Sequence, residues 1–337
     1  MLEPPLVPVP RLRWGVLSTA GIGRRSVNPA IQASRNGTLD AIASRDEARA
    51  RAVAAELGIA RAVGSYDALL DDPAIDAVFI PLPNSMHREW SIKAANAGKH
   101  VLCEKPLALS AAECREMQAA ATANGTLLME AFMYRFHPRT ERLVAMARAG
   151  AFGALRSIRS VFTFHLASDE NIRMKPELGG GALMDVGCYC VNASRTIAGA
   201  EPVELQAWAS WAATGVDAEL AGSMRFADGL VAHFDCALTL DRRELVEVAG
   251  TDASVTVDSA FVGGTDRQTF LERRARERTV HEVDGADQYQ LMVEHFADCV
   301  LHRRPLRYVA AEAGANMRVI EALYRSARDG GRPVALD

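Results

Sequence analysis

Two short stretches hold side chains able to move a proton. In 103-CEKPLA-108, Lys105 stands between Glu104 and Pro106, directly after the apolar run HVL. In 179-GGGALMDVGCY-189, Asp185 and Tyr189 are four apart and share one face if residues 183–199 are helical. A free tyrosine titrates at about pH 10, so it is a poor base at neutrality unless a cation stabilises the phenolate. Lys105 is such a cation, and its charge lowers the pKa of a neighbouring acid. Asp185 would then orient a substrate or hold the lysine.

The elements that would position these groups follow from hydrophobic period. From Leu12 to about Met129, apolar runs (LRWGVL, TLDAIAS, DAVFIPL, KHVLCEK, TLLMEA) alternate with amphipathic segments, which predicts parallel strands with crossover helices, buried on both faces. Gly58 and Gly98 follow periodic runs as C-terminal caps, Asp46 is placed as an N-cap, and 110-SAAE-113 reads as a capping box. After Ala131 longer β-rich pieces dominate, with helices expected near 183–199, 287–301 and 311–329. The expected fold is α/β: a doubly wound, Rossmann-type domain over 11–131, then an α+β domain with an open, mostly antiparallel sheet over 132–337.

In such sheets ligands collect outside the carboxyl ends of the strands. Three pieces belong there: the loop in 14-WGVLSTAGIGRR-25, the stretch 81-PLPNSMH-87, and CEKP. The loop, Ser18, Thr19, Ala20, Gly21, Ile22 and Gly23, has small residues where a dinucleotide pyrophosphate needs a tight turn and a helix N-terminus, although Ser18 and Ala20 replace glycines of the usual G-x-G-x-x-G. After the second strand, Ser44 and Arg45 offer a hydroxyl and a guanidinium suited to a ribose 2′-phosphate, which points to NADP, with NAD possible. Lys105 then points into the cofactor crevice, where a lysine can bond a substrate hydroxyl.

The ordered set WGVLSTA, ASR, PNSMH, CEKPLA, EAFMYRFHP and GGGALMDVGCY resembles the Gfo/Idh/MocA oxidoreductase family over nearly the whole chain. The resemblance implies a Rossmann domain followed by an open sheet that mediates assembly. It implies that Lys105 is the lysine of the EKP motif, preceding a cis Pro106, and that Asp185 and Tyr189 are the motif aspartate and the final His-or-Tyr position. Tyrosine there is similar to the subgroup of glucose-fructose oxidoreductase, NADP-dependent xylose dehydrogenase and dimeric dihydrodiol dehydrogenase, where tyrosine is the proposed acid/base assisted by the lysine. Pro81, Asn84, His87 and Glu104 are implied cofactor neighbours, with Asn84 and His87 near the nicotinamide ribose. Arg135 and His137 are candidate substrate contacts, and Phe132, Tyr134 and Phe136 are expected to pack. The implied activity is hydride transfer between NADP and a carbon of a sugar or cyclic polyol; a trans-dihydrodiol dehydrogenase and an NADP-bound regulator are the rivals.

Composition limits the partners. With 49% hydrophobic and 24% charged residues, net charge −4 and pI near 6.1, the chain offers no basic nucleic-acid surface or polybasic membrane patch. The proline-rich start lacks a signal-peptide core and no run is long enough to span a membrane, so a cytoplasmic location is expected. Six scattered cysteines without metal spacing are expected as reduced, buried thiols, and no metal site is expected. The second sheet is expected to expose an apolar face, covered in a homodimer or homotetramer.

Overall fold

A computed structural model describes residues 10–336, so most of the proline-rich start read above lies outside the described residues. Strands β1 (Leu12–Leu17), β2 (Gly37–Ala43), β3 (Arg61–Val63), β4 (Ala77–Ile80), β5 (His100–Cys103) and β6 (Leu128–Glu130) pair in parallel, in the order β3-β2-β1-β4-β5-β6. Helices α1 (Asn28–Ala33), α2 (Glu47–Leu57), α3 (Tyr66–Leu70), α4 (His87–Asn96) and α5 (Ala111–Ala123) connect them. All of β4 is buried, as a strand covered on both faces must be. The order reverses beside β1, which opens a crevice between the ends of β1 and β4.

The helix signals act locally as their chemistry requires. Asp46 accepts from the Arg49 amide at 3.2 Å, and Gly58 and Gly98 take positive φ past the ends of α2 and α4. Ser110 accepts from the Glu113 amide at 3.2 Å. The Glu113 carboxylate reaches back to the Leu109 amide at 2.9 Å, one residue beyond the capping-box partner.

The second sheet comprises β7 (Leu155–His165), β8 (Pro202–Trp211), β9 (Asp217–Phe226), β10 (Val231–Ala237), β11 (Thr239–Gly250), β12 (Ser254–Asp258), β13 (Gln268–Arg274), β14 (Glu277–Val283) and β15 (Val334–Ala335). Its order is β14-β13-β12-β11-β7-β10-β9-β8-β15, antiparallel except for the parallel β7–β10 pair. Helices α6 (Pro138–Arg148), α7 (Cys188–Ala198), α8 (Gln288–His302) and α9 (Ala310–Arg328) complete the chain. α7 packs on β7 and β10, and the Ser160 hydroxyl donates to Cys190 O, which marks the covered face.

Two expectations need correction here. The helix anticipated over 183–199 begins as a π-turn, Leu183–Gly187, and only then continues as α7. The sheet's other face is mixed and not wholly apolar: register aligns Ser223, His233, Arg159 and Glu247 in one polar row, and Trp208, Ala221, Asp235, Val161 and Leu245 in a largely apolar next row, with Trp208 exposed.

The chain also returns to its first half. α8 lies against α1, where Arg35 pairs with Glu294 at 3.2 Å and with Asp298, and Asn36 donates to Asp298 at 2.8 Å. Trp14 and Phe296 pack beneath these pairs, with ring centroids 5.4 Å apart. All six cysteines are free and buried. No helix is long and apolar enough to cross a membrane, and no group of metal-ligating side chains occurs among the described residues.

Candidate active site

β1 delivers the chain into the loop at Ser18, whose φ of 147° is one that glycine adopts freely and other residues rarely do. Its hydroxyl accepts from the Ala20 amide at 3.0 Å, so the serine closes the turn that a first glycine would otherwise make. The first amide to bond back along the helix is that of Arg24, to Ala20 O at 3.1 Å. The amides ahead of it have no intrahelical acceptor and form an anion-binding end. A Cβ on Gly21 would lie 2.8 Å from the Arg25 guanidinium, and one on Gly23 3.4 Å from Asn28 Oδ1. At the end of β2, the Ser44 hydroxyl is buried and bonded to the Asp46 amide, while Arg45 is exposed and has no ion pair among the described residues. Small loop, free amides and guanidinium together fit a dinucleotide carrying an extra phosphate.

The loop opens into a cavity of about 450 Å³ walled by both halves of the chain. Ala20, Gly21, Ile22, Pro81, Asn84, Glu104 and Lys105 line it from the first; Asp185 and Tyr189 line it from the second. Ser18, Thr19, Gly23, Ser44 and Arg45 lie outside this wall, in the loop interior and at the β2 end. The Lys105–Pro106 bond is cis, as the family resemblance implies.

Lys105, Asp185 and Tyr189 do meet. The Lys105 ammonium donates to Asp185 O at 2.8 Å and to Asp185 Oδ1 at 3.2 Å, and it lies 5.1 Å from the centre of the Tyr189 ring. The other Asp185 oxygen accepts from Arg173 Nε at 2.5 Å. Burial alone would raise the Asp185 carboxyl; the two cations hold it below its ordinary range. Burial would likewise lower Lys105, but Asp185 keeps its ammonium above the usual value. Beside them, burial lifts Glu104 to about 7 against the pull of Lys105.

The tyrosine differs from the expectation. Lys105 sits over the ring face and not at the phenol oxygen, and the hydroxyl is turned toward Met133 Sδ at 3.4 Å. Phe132, Phe162 and Phe261 pack around the ring with centroids within 5.5 Å, and burial pushes the phenol well above its ordinary pKa. Burial therefore keeps Tyr189 a neutral hydroxyl that holds its proton more tightly than a free phenol does.

The triple glycine has a steric cause. A Cβ on Gly180 would stand 2.3 Å from Arg173 O, one on Gly179 2.9 Å from Asn84 Cβ, and one on Gly181 2.1 Å from Asp217 Oδ1. The bare backbone lets the Arg173 loop, Asn84 and Asp217 all close on the start of the π-turn. Asn84 Nδ2 donates to Gly179 O at 2.8 Å. Asp217, buried, accepts from the Leu183 amide and from the Tyr324 hydroxyl, both at 2.7 Å.

Three further expected site residues do not reach the cavity. His87 is fully buried, with each ring nitrogen 2.9 Å from a carbonyl, Pro106 O and Leu82 O; the neutral ring donates to one of them and lies between the Lys105–Pro106 turn and the β4 loop, away from the cavity wall. Arg135 is held by Glu312 at 2.6 Å and stacks on Tyr308. His137 caps α6 through the Arg139 amide and faces Gly264 O with its other nitrogen. Tyr134 and its neighbours pack as expected, with the Tyr134 hydroxyl on Asn192. Conversely Arg173, Arg242 and Tyr289 line the cavity without having been anticipated. They lie in an irregular loop, at an irregular stretch of β11 and at the start of α8, where no spacing rule marks them.

Comparison with known proteins agrees with this geometry. Residues 12–132 match the model of the Gfo/Idh/MocA oxidoreductase family with its NAD-binding Rossmann fold, and 140–256 match a C-terminal domain of the same family. The chain is 42% identical over 321 residues to D-xylose 1-dehydrogenase (NADP(+)) 2 of Haloferax volcanii, covering 95% of this chain and 98% of that one. The aldose-aldose oxidoreductase of Caulobacter crescentus, solved with glycerol, superposes with a TM-score of 0.90 at 29% identity, covering 97% of this chain and all of that one. The 3-ketoreductase KijD10 of Actinomadura kijaniata, solved with NADP and TDP-benzene, gives 0.89 at 28% identity over 94% and 98%. A Rossmann crevice facing an open-sheet domain, with both family matches in chain order, makes this chain a member of the Gfo/Idh/MocA oxidoreductase family.

Proposed function

We propose that the chain is an NADP-dependent oxidoreductase that moves a hydride between the nicotinamide and a carbon of a sugar or cyclic polyol, with Lys105 and Tyr189 managing the proton. The observation that carries this reading is the meeting of Lys105 with Asp185 and the Tyr189 ring in one cleft, from opposite halves of the chain. The names of the relatives support the substrate class: a xylose dehydrogenase, an aldose-aldose oxidoreductase and a ketoreductase. The ketoreductase has also been solved with a lysine changed to alanine or glutamate and with a tyrosine changed to phenylalanine.

Residues 18–23 would hold the pyrophosphate on the helix end, Ser44 and Arg45 the 2′-phosphate, and Pro81, Asn84 and Glu104 the nicotinamide half. The cofactor supplies the hydride donor or acceptor. Asp185, tethered by Arg173, fixes the Lys105 ammonium so that it bonds the reacting oxygen. In the reducing direction the neutral Tyr189 hydroxyl gives its proton to that oxygen as charge develops there. In the oxidising direction the phenolate form of Tyr189 would receive the proton of the substrate hydroxyl. Residues 11–131 serve as the nucleotide half and 132–337 as the substrate half, in a cytoplasmic protein that assembles as a dimer or tetramer through the second sheet.

The decisive experiment follows NADPH absorbance with a panel of aldoses, keto-sugars, inositols and dihydrodiols in both directions. Turnover of a sugar or polyol with NADP(H) bears the reading out. Tight NADPH binding with no turnover of any of them leaves a regulator instead.

A further inference from the structure

Outside the Lys105–Asp185 pair, the cavity wall is electrically lopsided. Its cations are Arg25, Lys105, Arg173 and Arg242; its acids are Glu104 and Asp185. Arg25 stands on the phosphate-loop helix and belongs with the dinucleotide. The other three stand on other elements of the wall, and Asp185 is already shared between two of them. Burial keeps Glu104 partly protonated at neutral pH, which removes still more negative charge from the wall.

Arg173 and Arg242 have donors to spare. Arg173 spends Nε on Asp185 and directs only a long 3.4 Å contact from Nη1 to Asn171, while its guanidinium lies 5.7 Å from the Phe164 ring. Arg242 is tied to Glu244 by one nitrogen; its remaining donors bond nothing among the described residues. Glu244 is turned away to the Phe261 and Val262 amides, at 3.2 and 2.8 Å, so it anchors Arg242 from outside the cavity wall. Phe164 lines the wall with both arginines. A neutral sugar leaves two forked donors at this mouth facing only water, whereas a carboxylate or phosphoryl group satisfies them with charge-assisted bonds.

Resting on the sugar oxidoreductase reading above, we infer that the substrate is an anionic sugar whose carboxylate or phosphoryl group, remote from the reacting carbon, is held by Arg173 and Arg242. Lys105 and Tyr189 remain at the reacting carbon. A charge-assisted hydrogen bond from Arg173, whose side chain is 37% exposed, is worth about tenfold in affinity; Arg242, 60% exposed, adds less and is the more sensitive of the two to salt.

The test compares kcat/KM of the wild-type enzyme with NADP+ for glucose, glucuronate and glucose 6-phosphate, at low and high salt. The expected result is a preference of about tenfold or more for a charged sugar over its neutral parent, expressed mainly in KM and reduced by salt. The carboxylate and phosphate arms identify which anion the mouth takes. Arg242→Gln should lower the charged-to-neutral ratio more than it lowers either thermal stability or NADPH affinity. Equal or better turnover of the neutral sugars overturns this inference and leaves the sugar reading standing. Absence of turnover with these sugars and with the whole panel above, in both directions, overturns both.

Discussion

Replacing Lys105 by alanine separates chemistry from architecture. The lysine side chain makes two hydrogen bonds, both to Asp185, and covers one face of the Tyr189 ring. Stripping one partner from a buried ion pair costs about 3–5 kcal/mol when the other charge is left alone. Here Arg173 stays on the second Asp185 oxygen, so the cost falls to ~1–3 kcal/mol. At ~2–4 °C per kcal/mol, melting should drop by several degrees and the variant should stay folded at room temperature. The phosphate loop and the β2 end do not touch Lys105, so NADPH affinity should stay within about threefold of wild type, read by fluorescence titration. Turnover should fall ~10²-fold or more, the scale of a positioned acid–base group. Turnover within a few-fold of wild type would remove Lys105 from the mechanism. A loss of NADPH affinity as large as the loss of turnover would show that the lysine binds cofactor and does no more.

Tyr189→Phe removes only a hydroxyl whose single bond is to Met133 Sδ, so melting should change by less than ~1 kcal/mol equivalent while turnover falls about 10²-fold; unchanged turnover would assign the proton elsewhere. Arg45→Asp places a like charge beside the expected 2′-phosphate and should move the ratio of kcat/KM values from NADP toward NAD by about tenfold or more; an unchanged ratio would put that phosphate at another site. Glu130, buried under the 104–107 turn with one oxygen on the Leu107 amide at 2.8 Å, has its carboxyl raised by burial from 4.5 to about 8. Between those values the native state holds a proton that the unfolded chain has released, so its contribution to stability is present at low pH and is lost as pH rises toward 8. Glu130→Gln keeps the acceptor without the charge, and its melting temperature relative to wild type should therefore climb from pH 5 to pH 8; a flat difference would show that Glu130 is ionised when folded.

Much of the cofactor half was legible because it is built from local rules. Four all-buried residues in β4, glycine past α2 and α4, Asp46 and Ser110 at helix starts, and small residues after β1 each act within a few positions of chain. The proposed proton-handling set was legible for another reason: Lys105, Asp185 and Tyr189 stand in motifs whose steric needs, a triple glycine among them, are written in residue type.

Side-chain direction is where reading along the chain ran out. His87, Arg135 and His137 have residue types suited to a ligand, yet each is consumed by partners that only folding brings near: Pro106 O, Glu312 and Gly264 O. The reverse holds for Arg173, Arg242 and Tyr289, which are unremarkable in sequence and enter the cavity through a loop, an irregular strand end and a helix that crosses back to the first domain. Residue type and spacing determined the two-sheet plan, the small-residue loop after β1 and the motifs that carry Lys105, Asp185 and Tyr189, because those depend on backbone geometry within a turn or two. Tertiary packing alone decided which charges face the cleft and that Lys105 lies over the tyrosine ring instead of at its hydroxyl, because a buried polar group goes to whichever partner satisfies it, however distant along the chain.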